Sequence, residues 1–133
     1  MSEAGQRAEL VRQWWAKAEE SLSSAQVLFD VGNYNSAANR LYYAVFYGVT
    51  AALLEKGHSL KKHTGVRSEF HREFIRTSLL DQQWSTFYNR LFQDRHEGDY
   101  DGSVFFDREH VESQLAEGKL FLAELRPLVD SLA

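Results

Sequence analysis

The 133-residue sequence has no cysteine and a single proline, Pro127. Without cysteine neither a disulfide framework nor a thiolate metal site is possible, nothing calls for an oxidising compartment, and the cytoplasm is the expected location. With its only proline near the C-terminal end, the chain can run in long uninterrupted helices. Long apolar runs are missing too. Leu41 to Leu54 is the longest candidate, short of the ~20 residues a bilayer requires and broken by Tyr, Gly and Thr, so it reads as a buried helix with no membrane role. The N-terminus, Met1-Ser2-Glu3-Ala4-Gly5-Gln6-Arg7, carries no apolar signal core. No glycine-rich phosphate loop, nucleophile elbow or Ser/His/Asp order occurs. His58, His63, His71, His96 and His110 show neither the His-x-x-x-His nor the His-Glu-x-x-His spacing of a metal site. Asp99 to His110 departs from a calcium loop in its displaced glycine and in the histidine where a bidentate glutamate should stand. No metal and no other cofactor is expected.

What is present suffices for one core. Hydrophobic residues make up 44% and aromatic residues 14%, which for a chain of this length implies a single folded domain over residues 1–133 rather than disorder. The net charge of −4 argues against a general polyanion binder, yet it is unevenly placed. From Lys56 to Arg76 six cations (Lys56, Lys61, Lys62, Arg67, Arg72, Arg76) face only Glu69 and Glu73, a local balance of +4 that leaves −8 on the remainder. Either a solvated helix face or an anion site accounts for such a stretch, and His58, His63 and His71 within it can add charge under mildly acidic conditions.

Apolar residues recur at helical spacing throughout, which predicts an all-α antiparallel bundle of four to five helices. A first helix from about Arg7 to Val31 carries Trp14, Ala18, Leu22, Ala25 and Phe29 on one stripe, with Gly32 as its stop. Asn33 or Asn35 can cap a second, which turns Ala38, Leu41, Tyr42, Val45, Phe46, Val49 and Leu53 inward and ends at Gly57. Thr64 can start a third with Val66, Phe70 and Phe74 inward, and Asp81 a fourth. Gly98 to Phe106 is expected to be a loop whose Val104, Phe105 and Phe106 fold back over the core. Asp107 caps the last helix, where Val111, Leu115, Gly118, Leu122, Leu125 and Val129 form a packing seam that Pro127 kinks or ends.

One stripe breaks its own rule. In the fourth helix Trp84, Tyr88 and Leu91 lead on to Arg95 and Asp99, charged residues in apolar positions. An unpaired buried charge is costly, so these two must pair, face a cleft or meet an interface. Four residues apart, they can pair on one helix face, as a structural ion pair or as part of a site. In the second helix Asn39, Tyr43 and Tyr47 form a row at steps of four, readable as core with hydroxyls reaching solvent or as a stacking surface for a ligand.

Three segments taken in order, Ala38-Asn39-Arg40-Leu41-Tyr42-Tyr43-Ala44-Val45-Phe46, Lys62-His63-Thr64-Gly65-Val66 and Arg95-His96-Glu97-Gly98-Asp99-Tyr100, make the chain resemble a small prokaryotic member of the HEPN (higher eukaryotes and prokaryotes nucleotide-binding) family over nearly its whole length. The resemblance implies a helical bundle that forms a homodimer. In active members an Arg, four to six residues, His motif from each copy cuts RNA without metal, the histidine managing the 2′-hydroxyl proton and the arginine stabilising charge at phosphorus. Arg95 matches that arginine and His96 the polar residue after it, while Tyr100, Asp101 and Gly102 stand where the distal histidine would fall. Other members work beside a minimal nucleotidyltransferase in modules of toxin–antitoxin type, and Tyr100 matches by position a tyrosine that such a transferase modifies with AMP. Three readings follow. In the first, Arg95, His63 and Lys62 of the basic run hold the phosphate of a nucleotide or RNA, Asp99 orients Arg95, and a nucleotidyltransferase is the partner. In the second the chain is a metal-independent endoribonuclease toxin with His96 or His63 in place of the missing histidine. In the third it is a structural helical partner that binds through its acidic remainder and its last-helix seam.

Overall fold

The computed structural model describes residues 2–59 and 62–133, so Lys61 of the basic run lies outside the described residues. Among those described, all regular structure is helical: α1 (Glu3–Asp30), α2 (Tyr34–Glu55), α3 (His63–Phe70) continuing into a π-helical turn (His71–Ile75), α4 (Gln83–Tyr100) and α5 (Arg108–Leu125), then two short 3-10 turns (Arg126–Leu128, Asp130–Leu132). No helix among them is long and apolar enough to cross a membrane.

Capping sets the helix ends. The Ser2 hydroxyl accepts the Gly5 amide at 3.1 Å, which starts α1 four residues before the periodicity suggests. Gly32 (φ 84°) and Gly57 (φ 92°) close α1 and α2 in the left-handed region, where other residues are strained. Asp81 accepts the Gln83 amide at 2.9 Å and Asp107 the His110 amide at 2.8 Å, so both aspartates serve their expected helices. The stripe of α1 is shifted from expectation at one end. Trp15, not Trp14, is buried, together with Val11, Ala18, Ser21, Ala25 and Phe29, and Leu22 is only partly covered. Trp14 instead leans on Tyr47 at the margin, with the Lys17 ammonium over its ring.

The fourth helix corrects a larger expectation. It does not stop at Gly98 but runs to Tyr100. Gly98 serves packing: a Cβ there would meet Phe106 at 3.0 Å, so its absence lets Phe106 lie against the helix. Asn35 then fixes the following loop, donating to the Val104 carbonyl and accepting the Phe106 amide, each at 2.8 Å. Phe106 does fold back onto the core, whereas Phe105 points outward, 82% exposed. Every seam residue of α5 from Val111 to Leu125 is buried, as is Val129 beyond it, and Pro127 lies just past the helix end.

Helix α2 is the central element, packed against α1, α3, α4 and α5. Two glycines bring α5 close to it. A Cβ on Gly118 would fall 2.5 Å from Leu41 Cδ1, and one on Gly48 would fall 2.6 Å from Leu122 Cδ2. Leu41 is fully buried and has little room to yield. Gly118→Ala therefore destabilises the protein in urea unfolding by about 1–2 kcal/mol, overpacking outweighing the ~0.5–1 kcal/mol that alanine gains inside a helix. A stabilised variant would show that Leu41 moves aside.

Candidate functional site

The α2, α3 and α4 helices meet on a face that gathers most of the residues singled out from the sequence. Helix α2 contributes Asn39, Tyr42 and Tyr43, α3 contributes His63, and α4 contributes Arg95 and Asp99. The Arg95 guanidinium lies over the phenol rings of Tyr42 and Tyr43, its Cζ 5.4 Å from each ring centre. Its Nη2 donates to the Tyr43 hydroxyl at 3.1 Å, and its Nε stands 3.3 Å from Asp99 Oδ2. That last contact is an ion pair by distance but is not aligned as a hydrogen bond, so Nε has no hydrogen-bond partner among the described residues. Asp99 is held in turn by Asn39, whose Nδ2 donates to both carboxylate oxygens at 3.2 Å, and Arg40 donates to Asn39 Oδ1 at 3.1 Å. Arg95 is thus anchored while most of its five N–H donors stay unspent. Its side chain keeps 19% of its surface in contact with solvent.

His63 stands beside it. The imidazole stacks on Phe46 with ring centres 4.1 Å apart, and its Nδ1 is 2.8 Å from the Tyr42 hydroxyl. Burial, with the Arg95 charge adding to it, holds its pKa below the ordinary histidine value, so the ring is neutral at pH 7. Burial pushes the Tyr42 hydroxyl up to about 12, against an opposing pull from Arg95, so it stays protonated. An anchored guanidinium beside a neutral imidazole can bind a phosphate oxygen and accept a proton from a neighbouring hydroxyl.

Other candidates lie apart. Lys62 is exposed just before α3. His96 is exposed, its ring 5.1 Å from that of Tyr100, and Tyr100 is itself 72% exposed. Tyr47 continues the aromatic row away from Arg95 to pack on Trp14. The sequence reading did not single out Arg67. Its guanidinium lies 3.8 Å over the Phe92 ring, close enough to Tyr42 to act on that hydroxyl alongside Arg95. The available signal was its position four residues after His63, on the same helix face. Histidine spacing also missed a three-group cluster. His58, Glu69 and Glu73 each place one potential ligand atom within 4.8 Å of the others, and Arg72 already pairs with Glu69 at 2.8 Å.

Comparison with known proteins places this geometry in context. A family model described as HEPN domain matches residues 11–127. A UPF0332 protein of Thermotoga maritima is 38% identical over 127 residues, 96% of each chain. Two proteins of Methanocaldococcus jannaschii, both provisionally named as toxins, are also similar. One is 39% identical over 106 residues (80% of this chain, 72% of the relative), the other 31% over 109 residues (82% and 81%).

The lowered His63 pKa has a consequence for stability. Between the native His63 pKa and the unfolded value of about 6.5 the unfolded chain binds the extra proton, so stability contributed at this position rises with pH through that window and is lost as pH falls through it. Urea unfolding of wild type and His63→Asn at pH 7.5 and pH 5 should show the stability gap between them narrowing at the lower pH. A gap that stays constant or widens would mean that the native ring takes up its proton freely.

Proposed function

From the fact that the chain belongs to the HEPN domain family, we propose that it binds RNA or a nucleotide phosphate at Arg95 and His63, as the binding component of a toxin–antitoxin-like module. The observation that supports this most is Arg95 itself: a fixed guanidinium with unspent donors, aimed at no internal carboxylate in hydrogen-bonding geometry, beside a neutral imidazole. A guanidinium serving only the fold would spend its donors inside the chain, because an unmade buried hydrogen bond is costly. The toxin-style names of two relatives favour the same kind of module. On this reading residues 1–133 act as one domain, two copies associate, and a nucleotidyltransferase is the partner, with the exposed Tyr100 accessible to modification.

A second reading is metal-independent ribonuclease action, favoured by the place of His63 rather than that of His96. His63 is the histidine close enough to Arg95 to feel its charge, whereas His96 faces solvent and Tyr100. In that reaction His63 accepts the 2′-hydroxyl proton as its oxygen attacks phosphorus. The 5′-oxygen leaves, Arg95 stabilises the added negative charge, and a cyclic phosphate remains.

Single-stranded RNA incubated in EDTA with wild type, Arg95→Gln, His63→Asn and His96→Ala separates these readings. Arg95→Gln should weaken RNA binding by about tenfold or more, while His96→Ala leaves it unchanged. Cyclic-phosphate products abolished by both Arg95→Gln and His63→Asn would establish cleavage. Undiminished binding by Arg95→Gln, with its fold intact, would remove Arg95 from the site.

A further inference from the structure

We infer that the hollow between α3 and α4 is a second nucleotide subsite built around Arg67, so that the ligand is a single-stranded nucleotide chain lying across Arg95 and Arg67 rather than a mononucleotide. This rests on the phosphate-binding role given to Arg95 above and extends it along the molecule.

The hollow has a volume of about 380 Å³, and its walls include Arg67, His71, Ser85, Tyr88 and Asn89. Arg67, like Arg7, Arg40, Arg76 and Arg126, makes no ion pair among the described residues. Its guanidinium is held instead over Phe92 at 3.8 Å. Stacking fixes the plane of the group and leaves its N–H edge for an acceptor, an arrangement suited to a phosphate oxygen. Deeper in the wall, Tyr88 is completely buried and its hydroxyl has no hydrogen-bond partner among the described residues. His71 Nδ1 and Ser85 Oγ lie 3.0 Å apart, and Asn89 adds an amide that can donate and accept. Cationic, aromatic, hydroxyl and amide groups in one cleft match a phosphate followed by a base better than they match an apolar ligand.

This hollow continues the Arg95 site. His63, Arg67 and His71 follow one another at steps of four along α3 and its π-helical extension, and Ser85, Tyr88, Phe92 and Arg95 at steps of three and four along α4. Phe92 and Tyr42, 6.2 Å apart between ring centres, bridge the two arginines. Two cations with aromatic rings between them repeat the alternation of phosphate and base in a single strand. A nucleoside monophosphate has one phosphate and would engage only one of the two arginines.

The test is fluorescence anisotropy with 5′-labelled 2′-O-methyl oligouridylates of two and eight nucleotides, which resist 2′-hydroxyl cleavage, and with unlabelled UMP as competitor. Wild type, Arg67→Gln, Arg67→Lys and Arg95→Gln are compared at several salt concentrations, each checked by circular dichroism melting. Wild type should bind the octamer at least about tenfold more tightly than the dimer. Arg67→Gln should lose most of that gain, lower the slope of log affinity against log salt by about 0.7, and leave UMP competition unchanged. Arg67→Lys should keep the salt slope but recover only part of the octamer affinity, since an ammonium cannot stack as a plane. Length dependence that survives in folded Arg67→Gln, or wild type binding UMP as tightly as the octamer, would overturn the subsite while leaving the Arg95 reading intact. Octamer binding unaffected by Arg95→Gln, or no binding by wild type at all, would overturn both.

Discussion

The candidate site depends on one guanidinium standing where the stripe of α4 calls for an apolar side chain. Water is largely removed from Arg95, and that loss must be repaid by contacts with neighbouring elements. The α2 helix provides them. Tyr42 and Tyr43 present ring faces to the charge, the Tyr43 hydroxyl takes one N–H, and Asn39 holds Asp99 from across the interface. This links three levels: the i, i+4 spacing on α4 sets the pair, the polar row on α2 receives it, and the contact between the two helices satisfies one guanidinium N–H while part of the side chain stays at the surface. Burial, and after it the same charge, disfavours protonation of His63, so the guanidinium stands beside a neutral imidazole.

The central place of α2 explains why this arrangement is rigid. Gly48 on it and Gly118 opposite let α5 approach closely, so the helix that supplies Asn39, Tyr42 and Tyr43 is fixed from behind. Stacking of His63 on Phe46 and of Arg67 on Phe92 ties α3 to α2 and α4 on the open side. The candidate groups therefore sit on packed helices rather than on loops, so a ligand bound there would leave little of the surface to order. This chain has no histidine four to six residues after Arg95, and His63, from α3, lies near enough to feel the Arg95 charge.

Much of this was legible in the sequence, for identifiable reasons. Helical periodicity and capping residues are local signals, and Gly32, Asp81 and Asp107 carry them. The charge anomaly at Arg95 and Asp99 was visible because it interrupts Trp84, Tyr88 and Leu91. Less legible was whatever depended on a partner helix. Two adjacent tryptophans fit the first stripe almost equally well, and only the neighbouring helix decides that Trp15 goes inside. Gly98 looked like a helix stop because the docking of Phe106 against it is a contact between distant segments. Arg67 was one cation in a basic run until Phe92 on another helix gave it a fixed place, and His96, adjacent to Arg95 in sequence, is exposed beside Tyr100.

A double-mutant cycle in urea unfolding, combining Arg95→Gln with Asp99→Asn, tests most directly whether Arg95 is held for a ligand or for the fold. A partly exposed brace with poor hydrogen-bond alignment should give a coupling energy of about 1 kcal/mol or less, with both single variants folded. Losses of about 3–5 kcal/mol for the single variants, largely recovered in the double, would mark a pair on which the fold itself depends and would contradict the account.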